Sequence, residues 1–220
     1  MSIKSSYKFI CLSLFFSLFM LISNQCSKTD DVTTVENTVD TTSTTNTIYY
    51  GFVLNEVLYD PPADIPGDAN GDGIRDANDD EFVEFVNSSE TILDIGGYKL
   101  FDADRLAINT ANHEFPPNTI LNPGQAVVVF GGGTPTGNFG GSLVFASSGQ
   151  VLNLNNGGDV LTVKNSNDSI VMSFDVTPYS NNPNESFTRS PDLNGDFVQH
   201  TEVNAGLLFS PGTKSDGSDF

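Results

Sequence analysis

Oxygen-bearing side chains recur at a fixed spacing in segment 68–80, which reads DANGDGIRDANDD. Counted from the first residue, they stand at positions 1, 3, 5, 9 and 12, and a glycine stands at position 6. The residues are Asp68, Asn70, Asp72, Asp76 and Asp79, with Gly73 as the glycine. Ca²⁺ is a hard cation that takes six to eight oxygens, and alternate residues of a coiled loop can aim oxygens at one centre. With the main-chain carbonyl of Ile74 at position 7, the spacing predicts one calcium site.

The loop resembles those of the EF-hand and dockerin families, in which position 12 is commonly a longer, bidentate glutamate. Asp79 stands there in this chain, and Asp80 and Glu81 are alternative ligands for that position. Because the two flanking runs have strand-like composition, we expect the loop to sit in a β-domain without helices. The alternative interpretation is a solvated acidic turn, since Asp, Asn and Gly favour turns. The acids of the loop, relieved only by Arg75, repel one another within a Debye length of about 8 Å, and a divalent cation removes that repulsion.

The chain opens with a short apolar run behind a basic flank. Lys4 and Lys8 precede apolar residues 9–22, a run too short to span a bilayer core of about 30 Å. This pattern is typical of an export signal that is cleaved off. Cys26 follows in a context that resembles a relaxed bacterial lipoprotein processing site. We therefore expect residues 1–25 to be a lipoprotein signal peptide and Cys26 to be lipidated. The alternative is an ordinary secreted protein.

The residues after the cysteine predict where the protein goes. Asp30 and Asp31 resemble the export tag with which some gram-negative bacteria place lipoproteins on the cell surface. The expected location is the bacterial outer membrane, at the cell surface, attached to the membrane through the lipid. Cys11 leaves with the signal peptide, so the mature chain can form no internal disulfide. Residues 26–48 are rich in Thr, Asp and Asn, and we expect them to form a disordered, flexible tether because they bury too little apolar surface to fold.

The mature chain is strongly acidic. Removing residues 1–25 takes away two lysines and no acid, so 9 basic and 28 acidic residues become 7 and 28, a net charge of −21. Such a charge opposes binding to a phosphate backbone, and no nucleic acid partner is expected. The acidity suits an extracellular protein surrounded by divalent cations. The expected partner is an unidentified protein or glycan.

Residues 49–220 are long enough for one domain with a single core. Sustained helical periodicity is absent from the sequence, whereas short alternating or β-branched runs recur between turn residues. The prediction is therefore an all-β fold. A hairpin is predicted between 152–155 and 161–164, and a third antiparallel strand over 170–174. The other predicted strands cover 53–59, 82–86, 93–100, 113–115, 126–130 and 143–145.

Seven segments in the same order resemble the lamin tail domain, an immunoglobulin-like β-sandwich that also occurs in bacterial exported proteins. They are LNEV (54–57), EFVEFVN (81–87), LDIGGYKL (93–100), FPPNTILNPGQAVVV (115–129), LNNGGDVLTVKNSNDSIV (154–171), SFTRSPDLNGDF (186–197) and FSPGT (209–213). The resemblance implies an immunoglobulin-like antiparallel β-sandwich over residues 49–220, with the acidic loop as an insertion. Tyr98 stands where the family commonly has tryptophan. The alternation predicts that Val83 and Phe85 point into the sandwich and that Glu84 points out.

Other constellations fit structural roles better than catalytic ones. Segment 131–137 is glycine-rich but lacks the Gly-Lys-Ser/Thr of a phosphate cradle, so we predict a plain loop. No serine stands in a Gly-x-Ser-x-Gly elbow. His113 and His200 are expected at the surface or at strand ends, and two histidines without a spare cysteine disfavour a zinc hydrolase site. Segment 192–196 is expected to be a turn, and Arg189 to pair with a strand carboxylate.

The sequence favours a non-catalytic, calcium-stabilised, lipid-anchored module that binds a partner or supports an assembly at the cell surface. The alternative is an accessory or binding component of an extracellular hydrolase or nuclease system, because bacterial lamin tail domains often accompany such enzymes in one chain. We expect no second domain here and no enzymatic activity, since no nucleophile, base and oxyanion-stabilising group can be placed at motif spacing.

Overall fold

The computed structural model describes residues 51–181 and 183–220. The predicted signal peptide, the predicted lipidation site Cys26 and the predicted tether all lie outside the described residues. The strands are β1 (Phe52–Leu58), β2 (Phe82–Asn87), β3 (Leu93–Asp94), β4 (Lys99–Phe101), β5 (His113–Glu114), β6 (Ile120–Leu121), β7 (Ala126–Phe130), β8 (Leu143–Ala146), β9 (Val160–Lys164), β10 (Ile170–Asp175), β11 (Phe187–Ser190) and β12 (Asp196–Gln199). Two short helices accompany them, α1 (Ala103–Ala107) and α2 (His200–Val203), with single 3₁₀ turns at Ile65–Gly67 and Thr177–Tyr179. Of the helices in this part of the chain, none has the length and apolar character needed to cross a membrane.

The strands form two large sheets and one small one. The larger sheet has the order β12-β11-β1-β2-β7-β8, the second has the order β10-β9-β4-β5, and β3 pairs with β6. The pairs are antiparallel except β7 and β8, which run parallel. This architecture confirms the predicted all-β, immunoglobulin-like sandwich.

The main hydrophobic core lies between the two large sheets. Val83 and Phe85 of β2 are fully buried in it, as the alternation predicted, together with Leu100 and Leu161 from the second sheet. The ring of Phe52 stacks on that of Phe85 with centroids 4.6 Å apart. Full burial of one such side chain contributes about 1.5–3 kcal/mol, so this core supplies most of the driving force for folding.

A second apolar cluster covers the outer face of the six-stranded sheet. It contains Leu58, Phe82 and Phe130, and Phe209 from the C-terminal segment packs against Phe82 with ring centroids 6.4 Å apart. Because both faces of the sheet are covered, all residues of β1, β2 and β7 are buried. Glu84 lies on this outer face, yet it is fully buried. The prediction that it points away from the core is right, and the implied exposure to solvent is wrong.

The predicted hairpin between 152–155 and 161–164 does not form. Leu152 and Leu154 are buried as their alternation suggests, but segment 151–159 contains no strand. Side chains take the place of a neighbouring strand: Asn112 Nδ2 donates to the Leu152 carbonyl (2.8 Å), and Glu81 Oε2 accepts from the Leu154 amide (3.2 Å). Strand β9 pairs instead with β4.

Two other strand predictions are partly right. The β9–β10 hairpin forms as predicted, but a register shift between Ile170 and Met172 leaves Ile170 60% exposed and buries Val171. The predicted strand over 93–100 divides into β3 and β4. Gly97 between them has φ +77°, a left-handed conformation that a strand interior does not allow.

Candidate functional site

The acidic loop, residues 68–80, belongs to the connection between β1 and β2, the two central strands of the six-stranded sheet. It follows β1 through the 3₁₀ turn and leads into β2. Arg75 ties it to the preceding segment, because its Nε donates to the Pro62 carbonyl (2.7 Å) and its Nη2 donates to the Pro61 carbonyl (2.6 Å). The loop is therefore anchored at both ends by strands and in its middle by one guanidinium.

The first half of the loop coils around its own side-chain oxygens. Asp68 Oδ2 accepts from the Gly73 amide (2.9 Å), and Asn70 Oδ1 accepts from the Asp72 amide (3.0 Å). Asp72 Oδ1 accepts in turn from the Ile74 amide (2.9 Å). Gly73 has φ +89°, which only glycine adopts without strain. Asp68, Asn70 and Asp72 thus each accept a hydrogen bond from a backbone amide of the same coiled segment.

The second half of the loop is held by two aspartates. Asp76 Oδ1 accepts from the amides of Asn78 (2.8 Å) and Asp79 (3.2 Å). Asp80 joins the two halves, because its Oδ1 accepts from the Asn70 amide (3.1 Å) and its Oδ2 accepts from the Asp76 amide (2.8 Å). Asp80 is thus engaged inside the loop, and Glu81, the other alternative ligand, is turned toward the Leu154 amide.

The glycine-rich loop, residues 131–137, packs against the acidic loop. The Thr134 amide donates to Asp72 Oδ2 (3.0 Å), the Thr136 amide donates to the Asn70 carbonyl (3.0 Å), and Thr136 Oγ1 donates to the Gly71 carbonyl (2.6 Å). A Cβ at Gly133 would lie 2.4 Å from Asn70 Nδ2, so this close contact requires glycine. The segment is a loop, as predicted, and its role is to support the acidic loop.

The electrostatics of the loop are those of crowded carboxylates. Burial, followed by the charges of Asp76 and Asp72, raises the pKa of Asp79. Burial also raises the pKa of Asp80 despite its accepted hydrogen bonds, whereas the amides of Asn78 and Asp79 lower the pKa of Asp76. Asp68 Oδ1 is a buried oxygen that accepts no hydrogen bond. The loop therefore holds negative charge that its own donors satisfy only in part.

The predicted calcium ligands combine carboxylates with an amide oxygen and a main-chain carbonyl. No three His, Cys, Asp or Glu side chains of residues 51–181 and 183–220 converge as a metal cluster. The predicted set also draws on the Asn70 amide oxygen and the Ile74 carbonyl, which such a cluster does not include. The side chain of Ile74 itself is 69% exposed.

A second acidic site, which sequence reasoning missed, lies on the outer face of the six-stranded sheet. Glu56 of β1 and Glu84 of β2 stand directly opposite each other and are fully buried. Glu56 accepts from Ser186 Oγ (2.6 Å), Ser210 Oγ (2.6 Å) and the Ser210 amide (2.9 Å). Glu84 accepts from Asn55 Nδ2 (3.0 Å) and the Gly212 amide (2.6 Å). The donors to Glu56 and Glu84 are far from them in the sequence, so no local sequence pattern predicts these hydrogen bonds.

Both histidines were expected at the surface or at strand ends. His113 begins β5 and His200 directly follows β12, so the strand-end part is right, but both side chains are buried and the surface part is wrong. His200 is fully buried, with Nε2 3.0 Å from Ser210 Oγ and Nδ1 3.1 Å from the Leu207 carbonyl. His113 begins β5, as a strand-end residue, but it is 2% exposed, and its burial lowers its pKa to about 4. The Glu56–Ser210–His200 chain has no opening to solvent, so its chemistry is that of a structural hydrogen-bond network.

Arg189 also differs from its predicted role. Its Nε donates to the Leu54 carbonyl (2.7 Å), and its Nη1 donates to the Gly195 carbonyl (2.6 Å). The guanidinium lies 4.6 Å from the centroid of the Phe197 ring. The residue thus fastens β11 and the predicted turn at 192–196 to β1 through carbonyls and a ring, where a carboxylate partner was expected.

Comparison with known proteins identifies one family. The family model described as Lamin Tail Domain matches residues 51–178, which is more than half of the chain. The match includes the acidic loop and ends before β11, so the C-terminal residues that contact Glu56 and Glu84 lie beyond it. No curated protein matches the chain.

Proposed function

The chain belongs to the lamin tail domain family, and from that premise we propose that it is a non-catalytic, calcium-stabilised, lipid-anchored module at the bacterial cell surface. A lamin tail domain is generally an interaction or structural module and is not an enzyme family. The observation that carries the calcium part is the buried Oδ1 of Asp68, a carboxylate oxygen without a hydrogen-bond partner at position 1 of the loop. An unpaired buried carboxylate oxygen is costly unless a cation or donor satisfies it.

The donors present in the loop suit calcium. All are oxygens, which is the ligand chemistry that Ca²⁺ prefers, and a coiled loop tolerates its flexible coordination. The residues that would hold it are Asp68, Asn70, Asp72, the Ile74 carbonyl, Asp76 and Asp79. The bound ion would supply positive charge among the carboxylates that raise the pKa of Asp79. Since the loop joins β1 to β2, ordering it would fix the ends of both central strands.

The anchor and the location rest on the sequence. The short apolar run followed by Cys26 supports a lipid attachment, and Asp30 and Asp31 support display on the outer face of the outer membrane. A net charge of −21 for the mature chain disfavours naked nucleic acid as a partner, so the proposed partner is a protein or a glycan. The loops at the ends of the sandwich offer the contact surface.

Calorimetric titration with Ca²⁺ tests the loop. The protein should bind one equivalent, and Asp72→Asn should abolish saturable binding while Asp104→Asn, an exposed acid outside the loop, should not. A chelator should lower the melting temperature of the wild type and of Asp104→Asn but not that of Asp72→Asn, because bound ion at a hundred times its Kd stabilises by about 2.7 kcal/mol. The absence of binding at millimolar Ca²⁺ would reject the calcium part of the proposal.

Mass spectrometry of the membrane fraction tests the anchor. The mature N-terminus should be an acylated Cys26, and Cys26→Ser should release the protein into the medium. Cys11→Ser is the matched control, since that residue is predicted to leave with the signal peptide. Release of the wild-type chain without acyl groups would support the secreted alternative. Hydrolysis of DNA or glycans by the purified protein, lost in Asp72→Asn, would favour the enzyme-associated alternative over a non-catalytic module.

A further inference from the structure

The C-terminal strap, which we define as residues 204–215, lies over the buried pair Glu56 and Glu84. It supplies three of the hydrogen bonds that these carboxylates accept: Ser210 Oγ (2.6 Å) and the Ser210 amide (2.9 Å) donate to Glu56, and the Gly212 amide (2.6 Å) donates to Glu84. Ser215 adds a further contact, because its amide (3.1 Å) and Oγ (3.0 Å) donate to Asp192. The strap is thus held to the sheet largely through carboxylates.

The strap also contacts His200. Its Nδ1 lies 3.1 Å from the Leu207 carbonyl, and its Nε2 lies 3.0 Å from Ser210 Oγ, which in turn donates to Glu56. The strap residues that cover the glutamates therefore also cover His200.

Glu84 faces mostly negative groups. Glu56 lies opposite it, and Asp192 lies behind Asn55, whose Nδ2 is 3.0 Å from Glu84 Oε1 and 3.3 Å from Asp192 Oδ1. No Lys or Arg reaches ion-pair distance of either glutamate in the part of the chain that the structure describes. Burial first, and then the charge of Glu56, raise the pKa of Glu84 well above its usual value. A closed strap therefore favours a protonated Glu84.

We propose that the C-terminal strap is a pH-sensitive clamp, closed while Glu84 carries a proton and opened by rising pH. Opening uncovers the outer apolar cluster, because Phe209 of the strap packs against Phe82. The clamp therefore controls access to an apolar surface. It goes beyond the proposed function, and it depends neither on calcium nor on the lipid.

The direction of the effect follows from proton linkage. An open strap returns Glu84 to water, where its pKa is the ordinary 4.5. Above that pH the closed state binds one proton more than the open state, so stability of the closed state is complete at low pH and is lost as pH rises toward the raised pKa. In this range the opening constant increases about tenfold per pH unit.

Hydrogen exchange of the full-length protein, measured with a chelator present and corrected for intrinsic exchange rates, tests the clamp. Protection of strap amides such as that of Gly212 should fall about tenfold per pH unit above pH 5, whereas β9 amides in the other sheet should stay constant. The substitution Glu84→Gln should remove this dependence of strap protection on pH. Glu185→Gln is the matched control, since Glu185 is a buried carboxylate that accepts from the Thr201 amide (2.6 Å) and makes no bond to the strap. It should keep the slope.

Strap protection that does not change with pH, or the same slope in Glu84→Gln as in the wild type, would overturn the proposal. If Glu84→Gln does not fold, a ¹³C NMR titration of the Glu84 carboxyl in the wild type decides. A midpoint well above 4.5 supports the clamp, and a midpoint at or below 4.5 contradicts it.

Discussion

The acidic loop and the buried Glu56–Glu84 pair are two concentrations of negative charge that are satisfied in different ways. Most hydrogen bonds to the loop carboxylates come from amides two to five residues away, as from Ile74 to Asp72 and from Gly73 to Asp68. The Thr134 amide, which donates to Asp72, is a more distant donor. The buried pair accepts from donors up to 154 positions away, as Glu56 does from Ser210. The loop can therefore form most of its carboxylate hydrogen bonds locally, whereas the buried pair exists only when the whole domain is folded.

The two sites also neutralise charge differently. The loop remains partly exposed and keeps an unpaired oxygen on Asp68, which suits a cation from solution. The buried pair is closed to solvent and relies on donors of the folded domain, such as Ser210 to Glu56 and Gly212 to Glu84. Removing a charge partner should therefore affect the loop mildly and the buried pair severely, because water can replace a lost partner only at the loop.

Glu56→Ala should give the largest effect and separate the two sites. It leaves Ser186 and Ser210 without their common acceptor, and breaking a buried charge network of this kind costs about 3–5 kcal/mol. Chemical denaturation should show the corresponding fall in the free energy of unfolding. Ca²⁺ affinity measured on the folded fraction should remain close to that of the wild type, since the hydrogen bonds of the acidic loop do not involve Glu56.

Glu90→Ala is the control for that prediction, because Glu90 is exposed and lies outside both sites. Its free energy of unfolding should stay within about 0.5 kcal/mol of the wild type. Equal destabilisation by the two substitutions would show that burial of Glu56 contributes nothing, and the contrast drawn between the sites would fail.

The same contrast explains what the sequence could predict. The AVVVF strand and the β9–β10 hairpin are local patterns, and each appears in the structure at or near its predicted bounds. The calcium site predicted from the spacing of the acidic loop is also a local pattern and stays a prediction. The burial of Glu84 was missed because the strap that covers it comes from 128 residues further along the chain. The alternation at 152–155 correctly predicted that Leu152 and Leu154 are buried, but the strand pairing predicted with it is wrong. A buried alternating segment can also form its backbone hydrogen bonds with side chains, as the Leu152 carbonyl does with Asn112.

His113 is a third buried titratable group, and unlike Glu56 and Glu84 its pKa is shifted by burial alone. Its Nδ1 accepts from the Ser148 amide (3.2 Å), while Nε2 is buried without a hydrogen-bond partner. Burial lowers its pKa from 6.5 to about 4. The native state therefore binds fewer protons than the unfolded state in that range, so stability is complete above pH 6.5 and falls as pH drops toward 4. The total loss should reach about 3 kcal/mol.

His113→Asn should remove that contribution while keeping an acceptor for Ser148. The variant will be less stable at neutral pH because the smaller side chain leaves a cavity, so the informative quantity is the difference between the two stability profiles from pH 7 to 4. If the stability profiles of the wild type and the variant run parallel, His113 becomes protonated in the folded protein as easily as in the unfolded one. The apolar surroundings argue against that outcome, because Phe115 and Phe145 pack against the His113 ring.

Arg75→Lys should give the smallest effect, because it alters the loop, where water can compensate. The guanidinium donates two parallel hydrogen bonds to the carbonyls of Pro61 and Pro62, and lysine keeps the charge but cannot form that fork. Losing one neutral-acceptor hydrogen bond at a half-buried position lowers the free energy of unfolding by about 1 kcal/mol. Since the charge near Asp76 is unchanged, Ca²⁺ affinity should change only a few-fold. Complete loss of Ca²⁺ binding in Arg75→Lys would show that the loop depends on its anchor to the domain, and that its local hydrogen bonds do not suffice to hold the binding geometry.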